Sequence, residues 1–203
     1  RLTGHLCASF GAHSNKVQCV GRKDLPVNYF RVALAAMFGV LFQSNVMAAD
    51  IDTSAEFAYV TDFASGKVLM DKDPDSPMKP ASMAKIMTVY VAFQRIADGS
   101  LSLDDAFLIS EKAWRKGGSK TFVEVGKQVA VRDLLMGVVV QSGNDAAIAI
   151  AEGISGTEDG FAEEMNYVAR QLGMNNTVFK NATGWPDPDQ VTTARDLNIL
   201  ATA

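Results

Sequence analysis

The sequence predicts an α+β domain in which a helical cluster packs against an antiparallel sheet, and three observations carry that expectation. Two short β-patterned runs stand at residues 57–71. Apolar segments at helical spacing follow them, and proline and glycine punctuate the chain in between. The chain has 203 residues, 48% hydrophobic and 21% charged, which suits one ordinary globular domain and leaves too little biased sequence for a disordered one.

In chain order, residues 57–62 (FAYVTD) and 67–71 (KVLMD) read as two strands around the turn Phe63-Ala64-Ser65-Gly66, a hairpin. Pro74, Pro77 and Pro80 then mark a loop, and Pro80 suits the first turn of a helix. Residues 81–97 (ASMAKIMTVYVAFQRIA) are apolar on nearly every side, the pattern of a helix buried inside a domain. Residues 101–131 mix short apolar pieces with Gly117, Gly118 and Gly126 and read as loops, short helices and a small hairpin. Residues 132–140 form a short apolar helix that stops at Gln141-Ser142-Gly143-Asn144, and Asp145 is placed to cap a helix reaching Ile154. Phe161, Met165, Val168, Ala169 and Leu172 keep helical spacing up to Gly173. Residues 181–190, with Gly184, Pro186 and Pro188, read as a surface loop, and Thr193 opens a last helix.

The first 49 residues differ from the rest. Residues 32–42 (VALAAMFGVLF) follow Arg31 and precede a polar stretch and Ala48-Ala49. Eleven apolar residues are too few to span a bilayer, which takes about 20. A basic flank, a short apolar core and small residues at the end describe a secretory signal peptide over residues 27–49, with cleavage after Ala48 or Ala49; the other reading is a short buried helix. Residues 1–26 begin at Arg1 and show no structural period, so they read as a non-native or untranslated leader before a start at Val27. The mature body is then residues 50–203, exported to the periplasm or cell surface.

Charge and residue usage exclude much chemistry. Formal net charge is −4, and because residues 1–49 are net basic, the body carries −8. An acidic body without a basic stripe is a poor partner for a phosphate backbone, which argues against nucleic acid. Both cysteines (Cys7, Cys19) and both histidines (His5, His13) lie in the first 19 residues. The body therefore has no Ser-His-Asp triad, Cys-His pair or histidine-ligated metal, and any enzymatic base is Lys, Asp, Glu or Tyr.

Two Ser-x-x-Lys strings occur, Ser76-Pro77-Met78-Lys79 and Ser82-Met83-Ala84-Lys85. The first sits in the proline-rich loop, where nothing turns its lysine toward its serine. In the second, serine and lysine stand one turn apart at the start of the apolar helix and share a face. A lysine buried there at a helix N-terminus is pushed toward its neutral form, and a neutral amine can activate a serine without histidine. The alternative is that Ser82 caps the helix and Lys85 snorkels to the surface. Sixty residues on, Ser142-Gly143-Asn144 offers a hydroxyl and a carboxamide on a tight interhelical loop, or simply stops one helix and caps the next.

Together these motifs resemble those of the serine D-Ala-D-Ala carboxypeptidases, the low-molecular-mass penicillin-binding proteins, whose superfamily signature is Ser-x-x-Lys, Ser-Asp-Asn and Lys-Thr-Gly. PASMAKIMT around Ser82, VQSGNDAAIAIAE around Ser142 and TTARDLNIL from Thr192 are similar to the carboxypeptidase branch, as is Gly143 in place of Asp. The resemblance implies a fold of the β-lactamase and penicillin-binding-protein (DD-peptidase) type. It makes Ser82 the acyl-forming nucleophile and Lys85 its base. Ser142 would relay a proton to the leaving amine, and Asn144 would hydrogen-bond the substrate backbone and Lys85. The implied substrate is the D-Ala-D-Ala end of a peptidoglycan stem peptide, with β-lactams as inhibitors, no metal or organic cofactor, and a role in cell-wall and cell-shape maintenance. The Ser82 N–H at the helix start suits an oxyanion donor.

No Lys-Thr-Gly follows Ser142 in the 61 residues that remain. The expectation is therefore that residues 50–203 are the N-terminal part of the catalytic domain, truncated before its C-terminal strands and before any tail associating with the inner membrane. One face of the helices at residues 81 and 132 would then meet water. Two rivals remain. A β-lactamase of class A type uses a loop glutamate, whereas residues 181–190 hold Asp187 and Asp189 but no Glu. A non-catalytic penicillin- or peptidoglycan-binding module would keep the cleft without turnover.

Overall fold

The computed structural model describes residues 53–203; the leader and signal-peptide expectations lie outside the described residues. The chain opens on the expected hairpin, β1 (Ala58–Thr61) antiparallel to β2 (Val68–Lys72), with Tyr59 opposite Asp71 and a register irregularity between Val60 and Thr61. Asp62 closes the turn. Its backbone N–H donates to the Lys67 carbonyl at 2.8 Å and its carboxylate accepts the Ser65 N–H at 2.8 Å.

A single 3-10 turn, Ala81–Met83, leads into α1 (Ala84–Ala97). β3 (Ala106–Leu108) and β4 (Gln128–Ala130) form a second, separate antiparallel pair flanking α2 (Glu111–Arg115). The helices α3 (Val131–Gln141), α4 (Asn144–Ser155), α5 (Glu158–Leu172) and α6 (Ala194–Thr202) follow. Side-chain oxygens of Ser110, Thr157 and Thr193 cap α2, α5 and α6 by accepting the N–H three residues on. These elements agree with the sequence reading to within a few residues. They form an α+β fold with a helical cluster and small antiparallel sheets.

Three expectations are corrected. The helix from residue 81 is not buried on every side: α1 buries one stripe (Ala84, Lys85, Met87, Thr88, Val91, Ala92) and leaves Ile86 and Phe93 exposed. The central helix is α4, buried without a break from Asn144 to Ala151, with α1, α2, α3 and α5 against it. It lies between two apolar clusters, one around Leu134, Val138, Ile148 and Ile150, the other around Met87, Val91, Phe161, Met165 and Phe179. Small alanines on its sides let four helices approach it closely, which a bulkier apolar helix would prevent.

Asp145 does not cap α4. The N-cap is Gly143, and Asp145 is the second helical residue, its buried carboxylate accepting the N–H groups of Thr121 (2.8 Å), Phe122 (2.9 Å) and Val123 (3.3 Å). Three successive backbone donors outside any strand need an acceptor, and a carboxylate at a helix N-terminus is a stable one.

Residues 181–190 are not a surface loop throughout, since Ala182, Thr183 and Gln190 are buried. Polar side chains replace the absent ladder. Asn181 Oδ1 accepts the N–H of Thr183 (3.2 Å) and Trp185 (3.0 Å), and Gln190 Oε1 accepts those of Lys180 (2.9 Å) and Asn181 (3.3 Å). On α3, Met136, Val139 and Val140 are exposed, Val140 at 68%.

Candidate active site

Pro80 fixes the approach to the 3-10 turn, and Ala81 takes a left-handed φ of 46° just before Ser82. Ser82 is exposed on this turn, and Lys85 is only 4% exposed in the first turn of α1. The Lys85 Nζ lies 3.4 Å from Ser82 Oγ and donates to the Thr183 carbonyl at 2.7 Å. Burial lowers the Lys85 pKa to about 8, so about a tenth of the amine is neutral at pH 7, far more than for an ordinary lysine. One N–H is committed to Thr183, which turns the rest of the amine, including its lone pair when neutral, toward Ser82.

Ser142 caps α3 in a left-handed conformation (φ 55°, ψ 34°), an unusual state for a residue with a side chain. Thr121 helps explain how the loop is held. Its side chain fills the space that a Cβ on Gly137 or Gly143 would occupy, while its own N–H is held by Asp145. A cavity of about 350 Å³ is lined by Ser82, Lys85, Val89, Val138 and Ser142 among others, so the two motifs converge on one concavity.

Asn144 stands apart from that cavity. Its amide donates to the Gly117 carbonyl at 2.8 Å and its backbone N–H to the Ser119 carbonyl at 2.8 Å, anchoring the 117–119 loop. The contact expected between Asn144 and Lys85 is not formed; the hydrogen bonds of the Lys85 amine go to Thr183 and Ser82. A larger groove of about 880 Å³ runs between the end of α1 and α5, but Arg95 is paired with Glu164 there and no serine or lysine lines it.

Reasoning from sequence missed the residues that hold the pair in place. Thr88 Oγ1 donates to the Ala182 carbonyl at 2.7 Å and Glu158 accepts the Ala182 N–H at 3.2 Å, which delivers the next carbonyl, that of Thr183, to Lys85. Gly184, at φ 78°, abuts the serine turn so closely that a Cβ would fall on the Ala81 carbonyl. Its legible signal was a glycine inside a proline-rich loop, which by itself says only that the chain turns. Lys79 of the other Ser-x-x-Lys string contacts the backbone of this same loop rather than Ser76.

The helical cluster, its small antiparallel sheets and a serine–lysine pair at a helix start define the class of the penicillin-binding proteins and DD-peptidases. Residues 43–203 match the model of the D-alanyl-D-alanine carboxypeptidase family, and the chain belongs to that family. It is 39% identical over 167 residues to the D-alanyl-D-alanine carboxypeptidase DacC of Escherichia coli, covering 79% of this chain and 41% of that protein. Its fold is similar to the crystal structure of DacD from Francisella tularensis, with a TM-score of 0.76, 42% identity, and coverage of 81% of this chain and 40% of the other. Penicillin-binding protein 5 of Haemophilus influenzae is similar at a TM-score of 0.72 and 39% identity, covering 75% and 45%. The chain spans about two fifths of the length of the first curated relatives it matches.

Proposed function

We propose that the protein is a serine-type D-alanyl-D-alanine carboxypeptidase that removes the terminal D-Ala from peptidoglycan stem peptides through a Ser82 acyl-enzyme. The observation that carries this reading is the placement of a buried Lys85 amine, its pKa lowered to about 8, 3.4 Å from Ser82 Oγ, beside the cavity that Ser142 also lines. Neutral Lys85 takes the Ser82 proton as Oγ attacks the carbonyl of the penultimate D-Ala. The oxyanion is stabilised by the Ser82 N–H at the helix start. The C–N bond then breaks, Ser142 relays the proton to the departing D-Ala amine, and water hydrolyses the ester. Asn144 serves this site by holding the 117–119 loop. The basic flank, the apolar stretch of residues 32–42 and the small residues that end the signal-peptide pattern of residues 27–49 support export to the periplasm or cell surface, where peptidoglycan lies.

A β-lactam amide mimics the D-Ala-D-Ala peptide bond, so a labelled penicillin should acylate Ser82 of the full-length protein. Peptide mapping of the adduct reads this directly. A label on Ser76, or one that persists in Ser82→Ala, would overturn the assignment.

A further inference from the structure

We propose that Lys79 is a positioning residue for the Ser82–Lys85 pair, a strap that grips the far end of the loop whose near end presents the Thr183 carbonyl to Lys85. The inference rests on the function proposed above. The Lys79 ammonium donates to three backbone carbonyls, those of Asp187 (3.0 Å), Pro188 (2.7 Å) and Gln190 (2.9 Å). An ammonium has three donors, and here each finds an oxygen.

The loop is thus held at both ends by one stretch of chain. Its near end meets Thr88, Lys85 and the Ala81 carbonyl; its far end meets Lys79, three residues before Ser82 and joined to the serine turn through Pro80. Between these ends the two segments do not close-pack. Away from the Gly184–Ala81 contact and the Lys79 hydrogen bonds, a cavity of about 380 Å³ is left, lined by Pro80 from one segment and by Pro186 and Pro188 from the other, among others. Dispersion contacts across such a gap are largely forfeited, so the three hydrogen bonds of Lys79 span what packing leaves open. The internal bonds of Asn181 and Gln190 preserve the loop's own shape without Lys79. Losing the strap should let the loop tilt as a unit and carry Thr183 away from Lys85.

The test compares Lys79→Met, Lys79→Arg and Ser82→Ala in the full-length protein. Acylation by a fluorescent penicillin is followed over a concentration series, which separates binding from the acylation rate constant, and rates are normalised to folded protein. We expect Lys79→Met to lower the acylation rate constant about tenfold, inside the ~10²-fold that a 1 Å misplacement can cost, with the half-saturating concentration little changed. Lys79→Arg should recover most of the rate, because a guanidinium also donates to several carbonyls. A wild-type rate constant in Lys79→Met, or an equal loss in Lys79→Arg, would overturn the strap. If Lys79→Met does not fold, Lys79→Gln is read on the same terms. Ser82→Ala keeps the two proposals apart: labelling that survives it defeats the proposed function, whereas labelling abolished there and unaffected by Lys79→Met defeats the strap alone.

Discussion

Lys85 must be neutral to accept the Ser82 proton, and its pKa of about 8 lies below the ordinary lysine value because burial penalises the charge. Below that pKa most of the amine is protonated and cannot act as base. Acylation should therefore rise with pH, reach half its maximum near 8 and level off above it. Lys85→Arg keeps a cation of similar length but cannot supply a neutral amine. We expect acylation to fall by about 10²- to 10⁴-fold while thermal unfolding remains cooperative. A near-normal rate in that variant, or a flat pH profile for the wild type, would remove Lys85 as base. At this scale the sequence was informative because a serine and a lysine three residues apart on a helix share a face wherever the helix is placed. The carbonyl that orients the amine lies 98 residues further on and belongs to a backbone group, which no residue type announces.

Among the elements, the loop of residues 181–190 matters more to the site than its composition suggested. Its glycine takes a left-handed φ and touches the backbone of the serine turn at once, so two constraints meet at Gly184. Gly184→Ala should strain the φ and push Ala81 aside, destabilising the protein by more than about 1 kcal/mol. Acylation by penicillin should drop sharply in the protein that still folds. Calorimetry and a labelling time course check the two effects, and wild-type values in both would show that the close approach is dispensable. The strands and helices themselves were legible from their periods, with ends shifted by a few residues. The difference in burial between α1 and α4 was not. Both are apolar around their circumference, and only the arrangement of the other helices decides which one they surround.

Taken as a whole molecule, the hairpin depends on a distant partner. A two-stranded ribbon is marginal alone, and here α6 packs on β1. Arg195 of α6 joins Asp75 at 2.7 Å and Asp71 at 3.7 Å, and its guanidinium stands 4.5 Å from the centre of the Tyr59 ring. Arg195 also holds the Asp75 carboxyl below its usual range. Arg195→Ala should loosen the hairpin without disturbing the serine–lysine pair. Hydrogen exchange should quicken in β1 and β2 and stay slow in α4, with the acylation rate unchanged. Exchange in the hairpin equal to that of the wild type would mean that the apolar contacts hold it unaided.

Spacing along the chain was enough to read the local features: the two strands of the hairpin, the order of helices, the serine–lysine pair and the turn at Ser142. Each is signalled by residues a few positions apart, although distant groups then hold the hairpin and the Ser142 turn in place. The rest came from packing. It made α4 the centre, turned Asn144 and Asp145 onto the 117–123 segment, and carried the Thr183 carbonyl to Lys85. These outcomes depend on which buried backbone groups lack a partner once the helices have met, and that is a property of the packed chain, since every buried N–H and C=O must find a partner wherever the fold brings one within reach.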